Sequence, residues 1–180
     1  MLFRTMLHVF LSRFQKRLGY FDVARSRFRV MPTDLDIFRH MNNGVYLSIF
    51  DVGRFDLLRR ARLWNIFIDR GWYPVVASET ITFRKSLTLW QRFIVESRII
   101  GYDEKAVFLE HRAVVDGEIF AQAFIRARFT KRTGGTVSIA EIMELVGTPP
   151  TDLRVPEWLT RWGADVSLPP SRATAPSLWE

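Results

Sequence analysis

The sequence predicts an α+β protein in which a five-stranded antiparallel sheet surrounds one long helix. One strand-like segment comes first, a long helical segment follows, and four more strand-like segments come after it. Short turns join these last segments, which favours antiparallel pairing over crossover connections. A sheet must bury one of its faces, and the long helix is the largest segment that can cover it.

The strands are predicted from alternating polarity and from the turns between them. The first is expected over residues 24–31, where arginines alternate with less polar residues until Pro32 ends the run. Asp116-Gly117 is a two-residue turn signal and predicts a hairpin between the last two strands. The other four strands are expected over residues 73–83, 92–102, 106–115 and 118–131.

The long helix is expected from Gly44 to about Ala61. Its apolar residues form a broad stripe, which predicts that it is covered on most sides. Asn42 and Asn43 immediately precede it and are suitable residues for capping its start. Two shorter helices are expected, one over residues 63–69 and one that begins with a capping box of Ser138 and Glu141 and ends near Gly147.

The two ends of the chain differ from its middle. Residues 2–18 have apolar positions at helical spacing, with basic residues off the stripe, which predicts an amphipathic helix that stops at Gly19. Such a helix packs on its own domain or on a partner subunit, or lies at a membrane surface. Six of the eight prolines follow Val146 and argue against regular structure there. We therefore divide the chain into an N-terminal helix, a folded domain and a proline-rich tail, over residues 1–19, 20–146 and 147–180.

The composition limits the possible functions. Hydrophobic residues make up 48% of the chain and aromatic residues 14%, which is enough for a core of large rings or an apolar pocket. The absence of cysteine excludes disulfides, thiolate nucleophiles and cysteine-based metal sites. A net charge of +7 favours anionic partners such as a phosphorylated small molecule, an anionic membrane or nucleic acid. No run of five basic residues and no known nucleic-acid module is present, so we expect no nucleic-acid partner.

The polar loop before the long helix is the best candidate for a functional site. It carries Asp34, Asp36 and His40 within a few residues. These residues are compatible with a metal site, although no further histidine lies nearby. They are also compatible with a purely structural role in bracing the loop. The third interpretation is acid–base or nucleophilic chemistry by a carboxylate beside the free N–H groups of a helix start.

A longer motif supports the third interpretation. The string D-x-D-x-x-x-H-x-N-N-x-x-Y runs from Asp34 to Tyr46, and D-x-x-R follows from Asp51 to Arg54. This composite pattern resembles the 4-hydroxybenzoyl-CoA thioesterase family of hotdog folds, and within it the group of thioesterase superfamily member six and its bacterial relatives. The resemblance covers about residues 24–132, and the segment TFRKSL, residues 82–87, fits the end of the family's second strand.

The resemblance implies a hotdog fold and hydrolysis of acyl-CoA thioesters. It implies that Asp36 is the catalytic aspartate and that backbone N–H groups near Asn43, Gly44 and Val45 polarise the thioester carbonyl. We expect His40 and Asn43 to orient the reacting groups, so the predicted catalytic set is Asp36, His40, Asn43 and Gly44. Arg39 stands where relatives often have a small residue.

Basic residues near strand ends are candidates for binding the phosphates of CoA, because arginine and lysine are the usual partners of phosphate. The predicted set is Arg84, Lys85, Arg128 and Lys131. Arg126 and Arg132, near the last strand, are further candidates. CoA is part of the substrate, so no separate cofactor or metal is expected. Asp51 and Arg54 are expected to form a structural pair on the helix.

The sequence therefore predicts an acyl-CoA thioesterase acting on a fatty or aryl acyl group. The alternative is a non-catalytic acyl-CoA or lipid-binding hotdog protein. The resemblance implies a homodimer or homotetramer. We expect a cytoplasmic location, with peripheral contact to the inner membrane surface through residues 2–18.

Overall fold

A computed structural model describes residues 6–7, 10, 12–170 and 172–177. Within these residues one antiparallel sheet contains five strands in the order β1-β3-β4-β5-β2. The strands are β1 (Ala24–Arg29), β2 (Trp72–Phe83), β3 (Arg92–Tyr102), β4 (Val107–Val115) and β5 (Glu118–Lys131). The predicted strand set is confirmed, with bounds that differ by one or two residues.

The long helix α1 (Asn43–Arg60) lies across one face of the sheet. Ile49, Phe50 and Leu57 are buried on its inner side among residues of the strands. Gly53 permits this close packing, because an added Cβ would lie 2.7 Å from Val95 Cγ1 and 2.8 Å from Ser97 Oγ. A helix covered by an antiparallel sheet is the predicted hotdog arrangement, and it is confirmed.

Three further helices lie in the described part of the chain after α1. They are α2 (Leu63–Asp69), α3 (Ile139–Val146) and α4 (Glu157–Asp165). Helices α2 and α3 match the predicted ones, and the capping box of α3 forms, with Glu141 N donating to Ser138 Oγ at 3.2 Å. None of the described helices is both long and apolar enough to cross a membrane.

The proline-rich tail contains regular structure, contrary to the sequence prediction. Helix α4 begins directly after Pro156, where a missing N–H costs nothing. Leu159 is fully buried in a cluster with Ile100 and Phe108, so the tail packs against strand residues. The prolines determine where this helix begins rather than preventing it. Trp179 lies outside the described residues.

The predicted N-terminal helix is only partly within the described residues. Residues 2–5, 8, 9 and 11 lie outside them, whereas Met6, Leu7 and Phe10 are helical. A 3₁₀ turn over Ser12–Phe14 follows, and residues 15–18 are not helical, so the predicted end at Gly19 is wrong. Two contacts with α1 explain the early end: Leu18 N donates to Arg60 O at 3.3 Å, and Arg60 Nε donates to Lys16 O at 2.9 Å. The segment is therefore extended against the C-terminal end of α1.

Candidate active site

The loop between β1 and α1 holds Asp36 by backbone hydrogen bonds. Asp36 N donates to His40 O at 2.9 Å, and Leu35 pairs with Met41, so the loop closes on itself like a short hairpin. Asp36 Oδ1 accepts hydrogen bonds from Phe38 N at 2.9 Å and His40 N at 3.3 Å. Asp36 Oδ2 accepts none within the described chain. One carboxylate oxygen is therefore fixed by the loop and the other is free to act on a ligand.

Asp34 has a structural role in the same loop. Its side chain is buried, and its Oδ2 accepts a hydrogen bond from Met31 N at 2.8 Å. Its carbonyl oxygen accepts from Asn42 N at 2.8 Å, which ties the loop to the residue before α1. The two acids of the motif thus differ in their environment, because Asp34 is buried and Asp36 is partly exposed.

The start of α1 is capped by Asn42. Its Oδ1 accepts a hydrogen bond from Gly44 N at 2.9 Å, and its carbonyl oxygen accepts from Val45 N at 3.0 Å. Two of the three N–H groups expected to polarise a carbonyl are therefore already engaged. Asn43 N, at the first helical position, has no hydrogen-bond partner among the described residues. It is the donor that remains for a ligand oxygen.

His40 and Tyr46 connect this region to the end of β2. His40 is exposed and pairs through its backbone with Thr88, next to the hydrogen bond from Met41 N to Leu87 O at 2.8 Å. Tyr46 is buried, and its hydroxyl accepts from Leu87 N at 3.2 Å. Burial raises the pKa of Tyr46, an effect that the hydrogen bond from Leu87 partly offsets. Tyr46 therefore serves as an anchor between α1 and the segment after β2.

An apolar cavity of about 210 Å³ lies beside the second half of α1. Strands β2, β3, β4 and β5 form its walls, together with α2 and α3. Asp51 lies at its edge, about 12 Å from Asn43 along the helix, because each helical residue advances 1.5 Å. Its apolar lining includes Leu58, Phe67, Val75, Ala127, Phe129 and Val146. The cavity has the composition of a site for an apolar group.

Comparison with known proteins agrees with this architecture. The sequence profile of the thioesterase-like superfamily matches residues 30–163, from the end of β1 into α4. The chain belongs to the thioesterase-like superfamily. It is 37% identical over 99 residues to a protein named THEM6 from Xenopus laevis, a match that covers 55% of this chain and 48% of that protein. The chain thus spans about half the length of that relative.

Solved structures show the same fold. A probable thioesterase of Escherichia coli, YbaW, superposes with a TM-score of 0.65 at 20% identity, covering 69% of this chain and 96% of that one. A hypothetical protein of Staphylococcus aureus solved in complex with CoA superposes with a TM-score of 0.58 at 18% identity, covering 80% of this chain and 96% of that one. At these identities the likeness shows the fold alone.

The residues predicted to bind phosphate do not form one group in this superfamily member. Arg84 and Lys85 contact Glu118 at the start of β5, with Arg84 Nη1 to Oε1 at 2.7 Å and Lys85 Nζ to Oε2 at 2.6 Å. Arg128 and Lys131 lie near the other end of β5. A strand rises about 3.4 Å per residue, so roughly 30 Å or more separates the two pairs. The two pairs are therefore far apart within one chain, and their binding of phosphate stays a prediction.

The two pairs also differ in what surrounds them. Arg84 and Lys85 lie at the end of β2, next to the segment that binds the Asp36 loop, and are exposed. Lys131 pairs with Glu141 Oε1 at 2.8 Å, and this pairing together with hydrogen bonds from Ser138 lowers the pKa of Glu141 to about 2. Arg84 and Lys85 are consequently the better placed for a ligand that reaches Asp36.

Arg126, a further candidate, is buried. It lies under α4, where an added Cβ at Gly163 would be 2.8 Å from Arg126 Cδ. Its Nε is 3.4 Å from Asp103 Oδ2, and its Nη1 is 3.4 Å from Ser167 Oγ. The sequence places Arg126 on the same face as other arginines but carries no sign that the tail covers it. Arg132 stays at the surface and donates to Tyr73 Oη at 2.8 Å.

The position of Glu79 beside the Asp51–Arg54 pair and the cavity was not predicted from the sequence. Arg54 pairs with Asp51 as expected, yet its Nη1 is buried without a hydrogen-bond partner. Glu79 on β2 lies nearby, and burial together with the negative charge of Asp51 raises its pKa, against a smaller lowering by Arg54. The spacing from Asp51 to Arg54 predicts their pairing on the helix. The approach of Glu79 to this pair depends on how β2 lies relative to α1, which the local sequence does not indicate.

His111 was also not expected at the centre of the molecule. It is fully buried, stacks on Phe50 with ring centroids 5.5 Å apart, and has its Nδ1 2.7 Å from Ser97 Oγ. Burial and the positive charge of Arg54 lower its pKa to about 3, so the ring is neutral. The only sequence signal is the alternation in β4, which places His111 on the same face as Leu109 and Ala113. No group of three or more possible metal ligands occurs in the described portion of the chain.

Proposed function

We propose that the protein is an acyl-CoA thioester hydrolase in which Asp36 is the catalytic carboxylate. The observation that carries the proposal is the state of that carboxylate: its Oδ1 is held by two backbone N–H groups while its Oδ2 is free. A fixed carboxylate with one available oxygen is suited to removing a proton from water or to attacking a carbonyl. Membership of the thioesterase-like superfamily supports the choice of a thioester as substrate.

In the hydrolytic step, water attacks the thioester carbonyl carbon as Asp36 Oδ2 takes its proton. The negative charge that develops on the carbonyl oxygen is stabilised by Asn43 N–H and the positive end of α1. The C–S bond then breaks, and the CoA sulfur leaves with the proton that Asp36 returns. His40 and Asn43 orient the reacting groups, and the capped Gly44 keeps the backbone close to the carbonyl. If Asp36 attacks directly, water hydrolyses the resulting anhydride instead.

The cavity beside α1 supports an apolar acyl group, either fatty or aryl. Its lining is almost wholly hydrophobic, and it begins about 12 Å from the start of the helix. The CoA phosphates are assigned to Arg84 and Lys85, whose exposed pairing with Glu118 is weak enough to exchange for a phosphate. No resident cofactor is needed in this scheme.

The proposal includes a homodimer formed through β2. This strand is a sheet edge of twelve residues, and Tyr73, Val75, Val76 and Phe83 are all exposed along it. A long apolar edge strand is a site for pairing with another chain. A monomeric mass in light scattering would contradict the dimer, and a homotetramer would require a second interface.

A test of the hydrolase proposal compares wild type with Asp36→Asn on a panel of acyl-CoA substrates. Asparagine keeps an Oδ1 that accepts from Phe38 N and His40 N, so the loop retains its hydrogen bonds while the charge and basicity are lost. We expect a fall in turnover of about 10²- to 10⁴-fold. An unchanged melting temperature would show that the fold is intact.

Asp116→Asn is the matched control, because Asp116 lies in the exposed hairpin turn between β4 and β5. It should keep full activity. Full activity in Asp36→Asn would rule out this mechanism.

A second candidate is a non-catalytic acyl-CoA-binding protein. The observation that favours it is the Asn42 cap. Its side chain accepts a hydrogen bond from Gly44 N, so this N–H group is not available to bind the thioester carbonyl oxygen. Such a protein would be stabilised by acyl-CoA in thermal unfolding yet release no free CoA for any chain length. Measurable CoA release that depends on Asp36 decides against it.

A further inference from the structure

Two neighbouring turns beside the Asp36 loop carry apolar side chains at their tips. Ile37 and Phe38 are 89% and 73% exposed, and Leu89 and Trp90 are 42% and 50% exposed. The backbone pairing of His40 with Thr88 holds the two turns side by side. Trp90 N donates to Val30 O at 3.0 Å, which fixes the second turn to the end of β1. We call these four residues the apolar tips.

The backbone at these turns is unfavourable for the residues that occupy it. Arg39 has φ 61° and Trp90 has φ 62°, in the left-handed region that glycine adopts with least strain. A bulky aromatic residue in this conformation is unusual. Both side chains are exposed, so packing within the chain does not explain why they replace glycine. Backbone strain that is kept at an exposed position indicates that the side chain contacts something other than its own chain.

The charges around the apolar tips differ from those on the rest of the sheet. Elsewhere on β1, β3 and β4, Arg25 pairs with Glu96 at 2.8 Å, and Arg98 and Arg112 both pair with Glu110. Near the tips, four exposed arginines make no ion pair with any described residue. They are Arg27, Arg29, Arg39 and Arg92.

Two of these arginines are directly opposed. Arg29 and Arg92 are cross-strand partners in β1 and β3. Like charges in this position repel each other and destabilise the sheet. An anionic partner outside the chain would relieve this repulsion, whereas nothing within the described chain does.

We propose that the apolar tips and the four surrounding arginines form a surface that docks on an anionic phospholipid bilayer. Tryptophan and aliphatic side chains enter the interfacial region of a bilayer, and arginines bind its anionic headgroups. The projecting shape and unpaired positive charge favour a deformable anionic layer over a rigid protein partner. Docking here faces the Asp36 loop towards the lipid, but the proposal does not depend on catalysis.

This surface is not the one that residues 2–18 were expected to provide. Lys16 and Leu18, in the described part of that segment, are bonded to Arg60 at the C-terminal end of α1, whereas the apolar tips lie before its N-terminal end. An eighteen-residue helix is about 27 Å long, so Lys16 and Leu18 are well separated from the apolar tips. Variants can therefore distinguish them.

The experiment uses the full chain, which has no cysteine, so one introduced cysteine can carry a single fluorescent label. Phe38→Cys is labelled with an environment-sensitive dye and mixed with vesicles of phosphatidylglycerol or of phosphatidylcholine. We expect a blue shift and stronger emission with phosphatidylglycerol alone. Leu168→Cys, at an 84% exposed position in the tail, is the matched control and should not respond. A label at residue 38 that stays in water while the protein sediments with the vesicles would overturn the proposal.

Unlabelled variants complete the test in vesicle sedimentation. Arg29→Gln and Arg92→Gln should each weaken binding to phosphatidylglycerol about fivefold, whereas Arg62→Gln, near the far end of α1, should not. Ile37→Ser with Phe38→Ser should abolish binding. If Phe10→Ser with Phe14→Ser abolishes binding while the tip variants do not, the proposal is wrong. A blue shift that rises with protein concentration without vesicles would instead assign the tips to a contact between subunits, and would also overturn it.

Discussion

The two ends of helix α1 differ in how they are built. At its N-terminal end, Asp36, Asn42 and His40 are held by short-range hydrogen bonds, and Asn42 and His40 are exposed. In its second half, Leu57 and Leu58 are buried against strand residues, and an apolar cavity opens beside them. The first region is a local arrangement of polar groups, whereas the second is assembled from distant parts of the chain.

This difference indicates which region controls reactivity and which controls stability. The loop can change its chemistry at little cost to the fold, because it contributes little buried apolar surface. The buried face of α1, from Tyr46 to Leu58, supplies much of the packing and therefore much of the stability. We expect substitutions in the loop to change reactivity, substitutions on the buried face of α1 to change stability, and substitutions in the cavity beside its second half to change the choice of acyl group.

The largest effect on stability is expected for Leu57→Ala. Leu57 is fully buried, so the loss of its side chain leaves a cavity and should lower the free energy of unfolding by about 2–5 kcal/mol. Urea denaturation measures this loss. Leu47→Ala is the matched control in the first half of α1, where the side chain is only half-buried and the loss should be clearly smaller. Equal losses would contradict the assignment of stability to the buried face of α1.

Acidification should reveal the buried His111. Its pKa is about 3 in the folded protein against 6.5 when unfolded, so the unfolded state binds more protons between these values. Stability should therefore fall as the pH is lowered through this window, by about 2 kcal/mol between pH 6.5 and about 5. Unfolding midpoints across this range measure the slope. His111→Leu combined with Ser97→Ala removes the group and its partner and should flatten it; an unchanged slope would assign the effect to other groups.

The fold was predictable because its signals are local. The alternation in each strand, the Asp116-Gly117 turn and the capping box at Ser138 are all readable within a few residues. The Asp36 loop was predictable for the same reason, through its compact motif. The cavity, the burial of His111 and the covering of Arg126 by α4 depend on which distant segments meet. The separation of Arg84 from Lys131 likewise requires knowing that β2 pairs antiparallel with β5, which places Arg84 beside the start of β5 and Lys131 at its end.

Removal of the helix cap should have a smaller effect. Asn42→Ala loses the hydrogen bond from Gly44 N and should lower the free energy of unfolding by about 1 kcal/mol. Thermal unfolding measures the change. Asn43→Ala, one residue later, makes no cap bond and should leave stability nearly unchanged. If both variants melt alike, Asn42 is not the effective cap.

The smallest expected effect concerns Glu79. Burial and the charge of Asp51 raise its pKa, so its charged form is disfavoured in the folded protein, and stability is lost as the pH rises above 4.5. Glu79→Gln should therefore stabilise the protein at neutral pH, by only a few tenths of a kcal/mol because the side chain is only partly enclosed and solvent screens its charge. The gain should vanish below the ordinary carboxyl pKa. Glu144→Gln, at an exposed position of α3, should show no such pH-dependent gain.

The central claim is that the start of α1 supplies the chemistry and the cavity beside its second half receives the acyl group. Steady-state kinetics of Asp36→Asn and Ala127→Leu over acyl-CoA chain lengths tests it directly. Ala127 lines the cavity, so leucine there should weaken kcat/KM for long chains by about 10- to 200-fold and spare short ones. Ala140→Leu, exposed on α3, is the control for added bulk and should behave like wild type.

Asp36→Asn should lower kcat for every chain length and leave the preference among them unchanged. A chain-length preference altered by Asp36→Asn, or a uniform loss of kcat in Ala127→Leu, would contradict the separation of the two roles.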